Sequence, residues 1–153
     1  MGGIHTDLTR EEREQFRQQA GMGFRTQPAG VVREKITEGT LRLVADFESV
    51  RSLAAAPLKF TITSPYMLMK TLLDRHYNDR EALLMDIAEA LRAQAAEIDA
   101  AVLQIDEANV PGAPEDGVMA ARAINHVLGA AKQGNHVLTD EEIHQIIRQH
   151  QAG

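Results

Sequence analysis

Leu103-Gln104-Ile105-Asp106-Glu107 decides how this chain is read. Three apolar or amide residues lead directly into two adjacent carboxylates. A short apolar run of this kind reads as a buried parallel strand, covered on both faces. In parallel α/β folds ligands bind beyond the carboxyl ends of the strands. Asp106 and Glu107 stand at that address. Two carboxylates there need a partner, because buried charge is costly when unpaired. A ligand ammonium, a metal or an internal Arg would serve. A structural ion pair or a helix-capping carboxylate is the competing reading.

The elements around this strand alternate. Leu58–Thr63 (LKFTIT) reads as a second strand, bounded by Pro57 and Pro65. Pro65 suits the first turn of a helix, where a missing N–H costs nothing. Residues 66–74 then read as a helix, and residues 46–54 as a shorter one. Asp79 caps a long helix over 79–99, in which Leu83, Leu84, Ile87, Leu91 and Ile98 recur at the helical period. A further helix opens at Pro114 or Glu115 and runs to about Lys132, with Gly134 ending it. Asn135–Leu138 reads as a short strand, and Thr139 with Glu142 as the capping box of a last helix to about His150. Strand and helix in alternation predict an α/β fold with a parallel sheet and covering helices. An open doubly wound sheet and part of a barrel both fit. Three or four strands are too few for a full eight-stranded barrel, which takes about 250 residues.

The beginning of the chain differs. Thr9 and Glu12 form a capping box for a polar helix over 9–19, whose mixed charges read as a solvated face. Residues 21–39 hold four glycines and Pro28 and read as a long irregular loop. Gly21-Met22-Gly23-Phe24 is no dinucleotide fingerprint, since a third glycine and a preceding strand are missing. The expected organisation is an N-terminal helix and irregular loop over 1–39, then a partial β/α barrel domain over 40–153.

Composition narrows the function. The 153 residues are 44% hydrophobic, 25% charged and only 4% aromatic, so Ala, Leu, Ile, Val and Met must build the core. A net charge of −6 argues against a nucleic-acid or anionic-membrane partner, which would select a basic surface. No apolar run approaches the roughly 20 residues that span a bilayer. No signal peptide is visible. The absence of cysteine excludes disulfides and thiolate metal sites and suits a reducing cytoplasm.

Other candidates carry less. Thr61, Thr63 and Ser64 end the LKFTIT strand; they offer hydroxyls to a ligand, or Ser64 simply caps the helix that follows, which is the commoner use. Asn135 and His136 lie near the last candidate strand and share the same kind of address. His5, His76, His126, His136, His144 and His150 form no HExxH pattern and read as structural or surface residues. Met67, Met69 and Met119 read as core filler.

Three segments taken together carry a family resemblance: residues 59–68 (KFTITSPYML), residues 70–77 (KTLLDRHY) and residues 103–109 (LQIDEAN). They resemble the catalytic barrel of cobalamin-independent methionine synthase and its smaller relatives. Pro114-Glu115-Asp116 and residues 123–128 (AINHVL) continue the likeness, which covers roughly residues 28–132. The resemblance implies a partial (β/α)8 TIM-barrel-like fold, an incomplete barrel. It implies methyl transfer from a folate, or another donor, to a thiol such as homocysteine, with zinc activating the thiol. It assigns Asp106 to the amino group of the substrate, with Glu107 supporting it.

The departures from the family are equally specific. Its zinc ligands are His, Glu and two Cys, and this chain has no Cys. His136 falls where the family has its His-x-Cys strand, but Leu138 takes the thiolate place, which leaves His136 a weak metal candidate. The opening Gly-Ser-Phe-Pro strand and the DGE-type carboxylate motif are also missing. The expectation is a methionine-synthase-like domain, incomplete or inactive as an isolated chain, with a small-molecule thiol or amino acid as partner. The alternatives are a non-catalytic barrel remnant that binds an amino-acid-like ligand or self-associates as a homo-oligomer, and a truncated gene product.

Overall fold

The computed structural model describes residues 1–19 and 25–132, together with Gln145 and Arg148. The expected strand at 135–138, His136 and all of the last helix but Gln145 and Arg148 lie outside the described residues.

The chain opens with β1 (Gly2–His5) and α1 (Arg10–Arg17), followed by β2 (Gly30–Thr37) and α2 (Leu43–Arg51). Next come β3 (Lys59–Thr63), α3 (Pro65–Lys70), β4 (Leu72–Asp74), α4 (Arg80–Glu97) and β5 (Val102–Asp106). Two 3₁₀ turns, Val110–Gly112 and Pro114–Asp116, lead into α5 (Gly117–Leu128). Among the described residues the strands form two sheets, β1-β2-β4 and β3-β5, and no closed barrel. The fold is α/β with short parallel pairings, β2 with β4 and β3 with β5. One antiparallel pairing, β1 with β2, departs from the all-parallel expectation.

Residues 30–37, expected as loop, are instead the middle strand of the larger sheet. Val31, Val32 and Ile36 are buried there, while Arg33, Glu34 and Lys35 between them are not. Those three charges hide the strand in the sequence. The expected helix over 66–74 is also shorter. It ends at Lys70, and Leu72 and Leu73 turn into β4, buried against β2. The helix expected from residue 114 to 132 begins with a 3₁₀ turn and is α-helical only over Gly117–Leu128.

The helix starts follow their caps. Thr9 and Glu12 form the predicted capping box on α1. Arg33 then ties this helix to β2, donating to Glu12 at 3.0 Å and to Asp7 at 2.9 Å. Asp79 accepts from the N–H groups of Glu81 and Ala82 at the start of α4. Gly3, at φ 81°, lies where an added Cβ would stand 2.6 Å from the carbonyl of Lys35, so only glycine fits this crossing of β1 over β2.

The main core gathers Leu84, Ile87, Leu91 and Ala95 of α4 against Val32 and Ile36 of β2, Ile62 of β3, Leu103 of β5, and Ala120, Ala123 and Val127 of α5. Phe47 of α2 meets Phe60 of β3 edge-on, with ring centroids 5.5 Å apart. The helices therefore cover one side of the β3–β5 pair. Its other side is open: Lys59, Thr61, Thr63, Val102 and Asp106 are exposed. β5 is thus not buried on both faces as expected. Only Leu103 is fully covered, and Val102 is 51% exposed.

Candidate functional site

The open face of β3 and β5 is polar. Register places Thr61 beside Gln104 and Thr63 beside Asp106. Partners in register share a face of the sheet, so these side chains stand together above it. Lys59 Nζ donates to Gln104 Oε1 at 2.9 Å. That contact leaves the other end of the amide, Nε2, to donate to Asp106 Oδ1. Oδ2 of Asp106 has no hydrogen-bond partner among the described residues, and the side chain is exposed at the carboxyl end of β5.

Glu107, one residue on, faces a different environment. It accepts from Ser64 Oγ and from the backbone N–H groups of Asn109 and Val110. Ser64, wholly buried, also accepts from Met67 N and so caps α3. The capping reading of Ser64 therefore holds, and the same hydroxyl clasps the ends of β3 and β5 together. The two carboxylates divide their work. Glu107 spends its acceptors on the protein, and Asp106 keeps one oxygen for solvent.

A second cluster was not legible in the sequence. Tyr66 Oη donates to Asp116 Oδ2 at 2.7 Å, and Arg80 pairs with the same carboxylate. Tyr66 is fully buried, and burial together with its bond to Asp116 pushes its phenol well above the ordinary range. Burial alone would raise Asp116. The Arg80 and Tyr66 hydrogen bonds outweigh that and hold it below its ordinary value. These three residues come from α3, the start of α4 and the second 3₁₀ turn, so no local spacing betrays them. His126 meets Glu89 across α5 and α4, a surface pairing rather than part of a site.

With the geometry in view, sequence comparison is decisive. The family model of the cobalamin-independent synthase catalytic domain matches residues 9–144. The chain belongs to this family. The likeness carried by the KFTITSPYML and LQIDEAN segments is thereby borne out. No curated protein and no solved structure matches the chain.

The cobalamin-independent synthase family implies zinc, and the residues present do not fit that centre. The chain has no cysteine to supply the thiolate ligands. Among the described residues no three His, Asp or Glu side chains converge as a metal site. Asp106 and Glu107 are engaged by Gln104 and Ser64 respectively, and neither has a histidine as partner among the described residues. No described helix is long and apolar enough to cross a membrane.

Proposed function

We propose that this chain recognises the substrate of a methionine-synthase-like methyl transfer, holding the ammonium group of an amino acid such as homocysteine on Asp106. The observation that carries the reading is the state of Asp106. Its carboxylate stands exposed at the carboxyl end of a parallel strand, one oxygen oriented by Gln104 and the other open. A charge-assisted N–H···O bond to an ammonium is among the stronger hydrogen bonds available. Glu107 supports from behind, by fixing the turn that follows β5.

The two sheets read as arcs of one incomplete (β/α)8 barrel, with the open face of β3 and β5 as part of its interior. Methyl transfer needs the acceptor thiol ionised, and free thiols near neutral pH are mostly protonated. The described residues do not assemble the zinc centre that would ionise it, and the chain has no cysteine to complete one. The isolated chain therefore binds substrate without turning it over, in a cytoplasmic setting where a folate donor is at hand.

Isothermal titration with L-homocysteine tests this. Asp106→Asn is expected to weaken binding about tenfold or more and to leave the circular dichroism spectrum and thermal midpoint unchanged. Equal binding by the two proteins would sink the reading. Equal loss of stability and binding would make Asp106 a structural residue.

A second reading, self-association, has one observation in its favour. β5 has no strand on its outer edge among the described residues, and Val102 is half exposed there. Unpaired edges favour pairing with another chain. Light scattering decides it: a monomer at all concentrations rules it out.

A further inference from the structure

Lys59, Gln104 and Asp106 form a chain of hydrogen bonds across the open face of β3 and β5. The two charged ends are exposed, and the amide between them is half-buried. A glutamine amide has a donor end and an acceptor end, which a half-turn exchanges. Here its neighbours allow one orientation alone. A lysine ammonium has no acceptor and must meet Oε1, which it does at 2.9 Å. An ionised carboxylate has no donor and must meet Nε2. Lys59 does not reach Asp106 itself. Its ladder partner is Val102, four residues before Asp106, so the two backbones stand about 13 Å apart along the strands. Among the described residues Lys59 donates to Gln104 and to no carboxylate. Apart from its long-range field, Lys59 can act on Asp106 only through that amide.

We propose that Lys59 is a positioning residue for the ammonium site: a cation that, through Gln104, improves the binding of another cation. The proposal rests on the ammonium reading above and adds what holds the site ready. Glutamine has several rotatable bonds, and ordering such a side chain during binding costs affinity. Tethered at Oε1 by Lys59, the amide already holds Nε2 on Asp106 Oδ1 before a ligand arrives. The carboxylate plane is then fixed, and Oδ2 faces outward in one direction. Hydrogen bonds in a chain also polarise one another, so an amide that accepts from a cation is a better donor at its other end. The direct field of Lys59 works the opposite way. Like charges repel, so the field alone weakens the binding of an ammonium. Positioning and field therefore predict opposite signs when the lysine charge is removed. Salt screens the field between exposed charges and leaves the positioning in place.

The experiment is calorimetric titration of the full chain with L-homocysteine, at low and at high salt. Lys59→Met is expected to bind about threefold more weakly in both. Its thermal midpoint should not change, because the residue is exposed. Lys59→Arg keeps a cationic donor and is expected to bind as the unaltered chain does. In a Gln104→Leu background, Lys59→Met is expected to change nothing further, since the path is already cut. Heteronuclear NMR gives a second readout. The side-chain amide signal of Gln104, identified by its loss in Gln104→Leu, is expected to shift in Lys59→Met and to return in Lys59→Arg. Unchanged or tighter binding by Lys59→Met overturns the proposal, the tighter case leaving the lysine nothing but its field. A loss that survives in the Gln104→Leu background overturns it as well, because the lysine then acts by another route. An unmoved Gln104 signal has the same force. In all of these cases the ammonium reading stands as long as Asp106→Asn loses the ligand. If Asp106→Asn binds L-homocysteine as the unaltered chain does, that reading fails and the proposal with it.

Discussion

Ser64 Oγ donates to the carboxylate of Glu107, joining the last residue before α3 to the first residue after β5. The backbone repeats the connection, with Ser64 N donating to the carbonyl of Asp106 at 2.9 Å. The pair of strands that presents Asp106 is thus closed at its carboxyl end by one side-chain and one main-chain bond.

Removing the clasp should destabilise the protein. Glu107→Ala leaves a buried hydroxyl and two backbone N–H groups without their acceptor, a cost of roughly 1–3 kcal/mol. Ser64→Ala also loses the cap of α3, worth about 1 kcal/mol. Urea unfolding of the two single variants and the double variant checks this. Because the residues share a bond, the double variant should cost less than the two single losses added together. Strict additivity would show that they do not interact.

Tyr77 offers a similar test far from that site. Its hydroxyl donates to Asp86 at 2.6 Å and accepts from Ile36 N at 2.8 Å, bracing β2 against α4. Tyr77→Phe keeps the ring and strands the N–H of Ile36. The expected loss is about 1–3 kcal/mol in urea unfolding. A loss below half of that would mean water takes over the Ile36 N–H.

Alkaline titration should be delayed until unfolding. The chain has two tyrosines and no tryptophan, so phenolate absorbance in the near ultraviolet reports on Tyr66 and Tyr77 alone. Burial and the bond to Asp86 push Tyr77 up to about 12, and burial with the bond to Asp116 pushes Tyr66 above the ordinary range. Folded-state values raised above the ordinary value of about 10 mean that the neutral phenols stabilise the fold. That contribution is complete below the ordinary value and is lost as pH rises through the folded one. Phenolate appearing with a midpoint near 10 in folded protein would contradict the burial of Tyr66 and the bond from the half-buried Tyr77 to Asp86.

Acid should release the other cluster. Asp116 is held below the ordinary carboxyl value, so its contribution is present above about pH 3.9 and is lost as pH falls through the depressed value. Asp116→Ala leaves the buried Tyr66 hydroxyl unpaired, a cost of roughly 1–3 kcal/mol at neutral pH. The difference in stability between the two proteins should narrow on acidification. A difference that stays constant down to strong acid would show that the carboxylate's charge plays no part.

What the sequence disclosed was local. Thr9 with Glu12, Ser64 with Pro65, and Asp79 each carry their helix start in neighbouring residues, and each cap is present. β3 and β5 stood out as short apolar runs next to turn residues. β2 and β4 did not, because their strand character comes from partners far away in the chain. Val31 pairs with Leu73, and Leu72-Leu73 alone fits the face of the preceding helix equally well. The difference between Asp106 and Glu107 was hidden for the same reason. Adjacent in sequence, they differ through Gln104 on one side and, on the other, the backbone N–H groups of Asn109 and Val110 and Ser64, 43 residues away.

The gap in the backbone ladder between the two sheets has a mechanical meaning. Hydrogen-bonded strands resist sliding past one another, whereas among the described residues the β1-β2-β4 and β3-β5 sheets share no strand pairing and are packed together through the side chains of the common core. The protein is therefore softest along that seam, and opening it breaks no strand pairing. Anything wedged into the seam acts as a splint. It should slow amide hydrogen exchange in both sheets together, including residues it never touches.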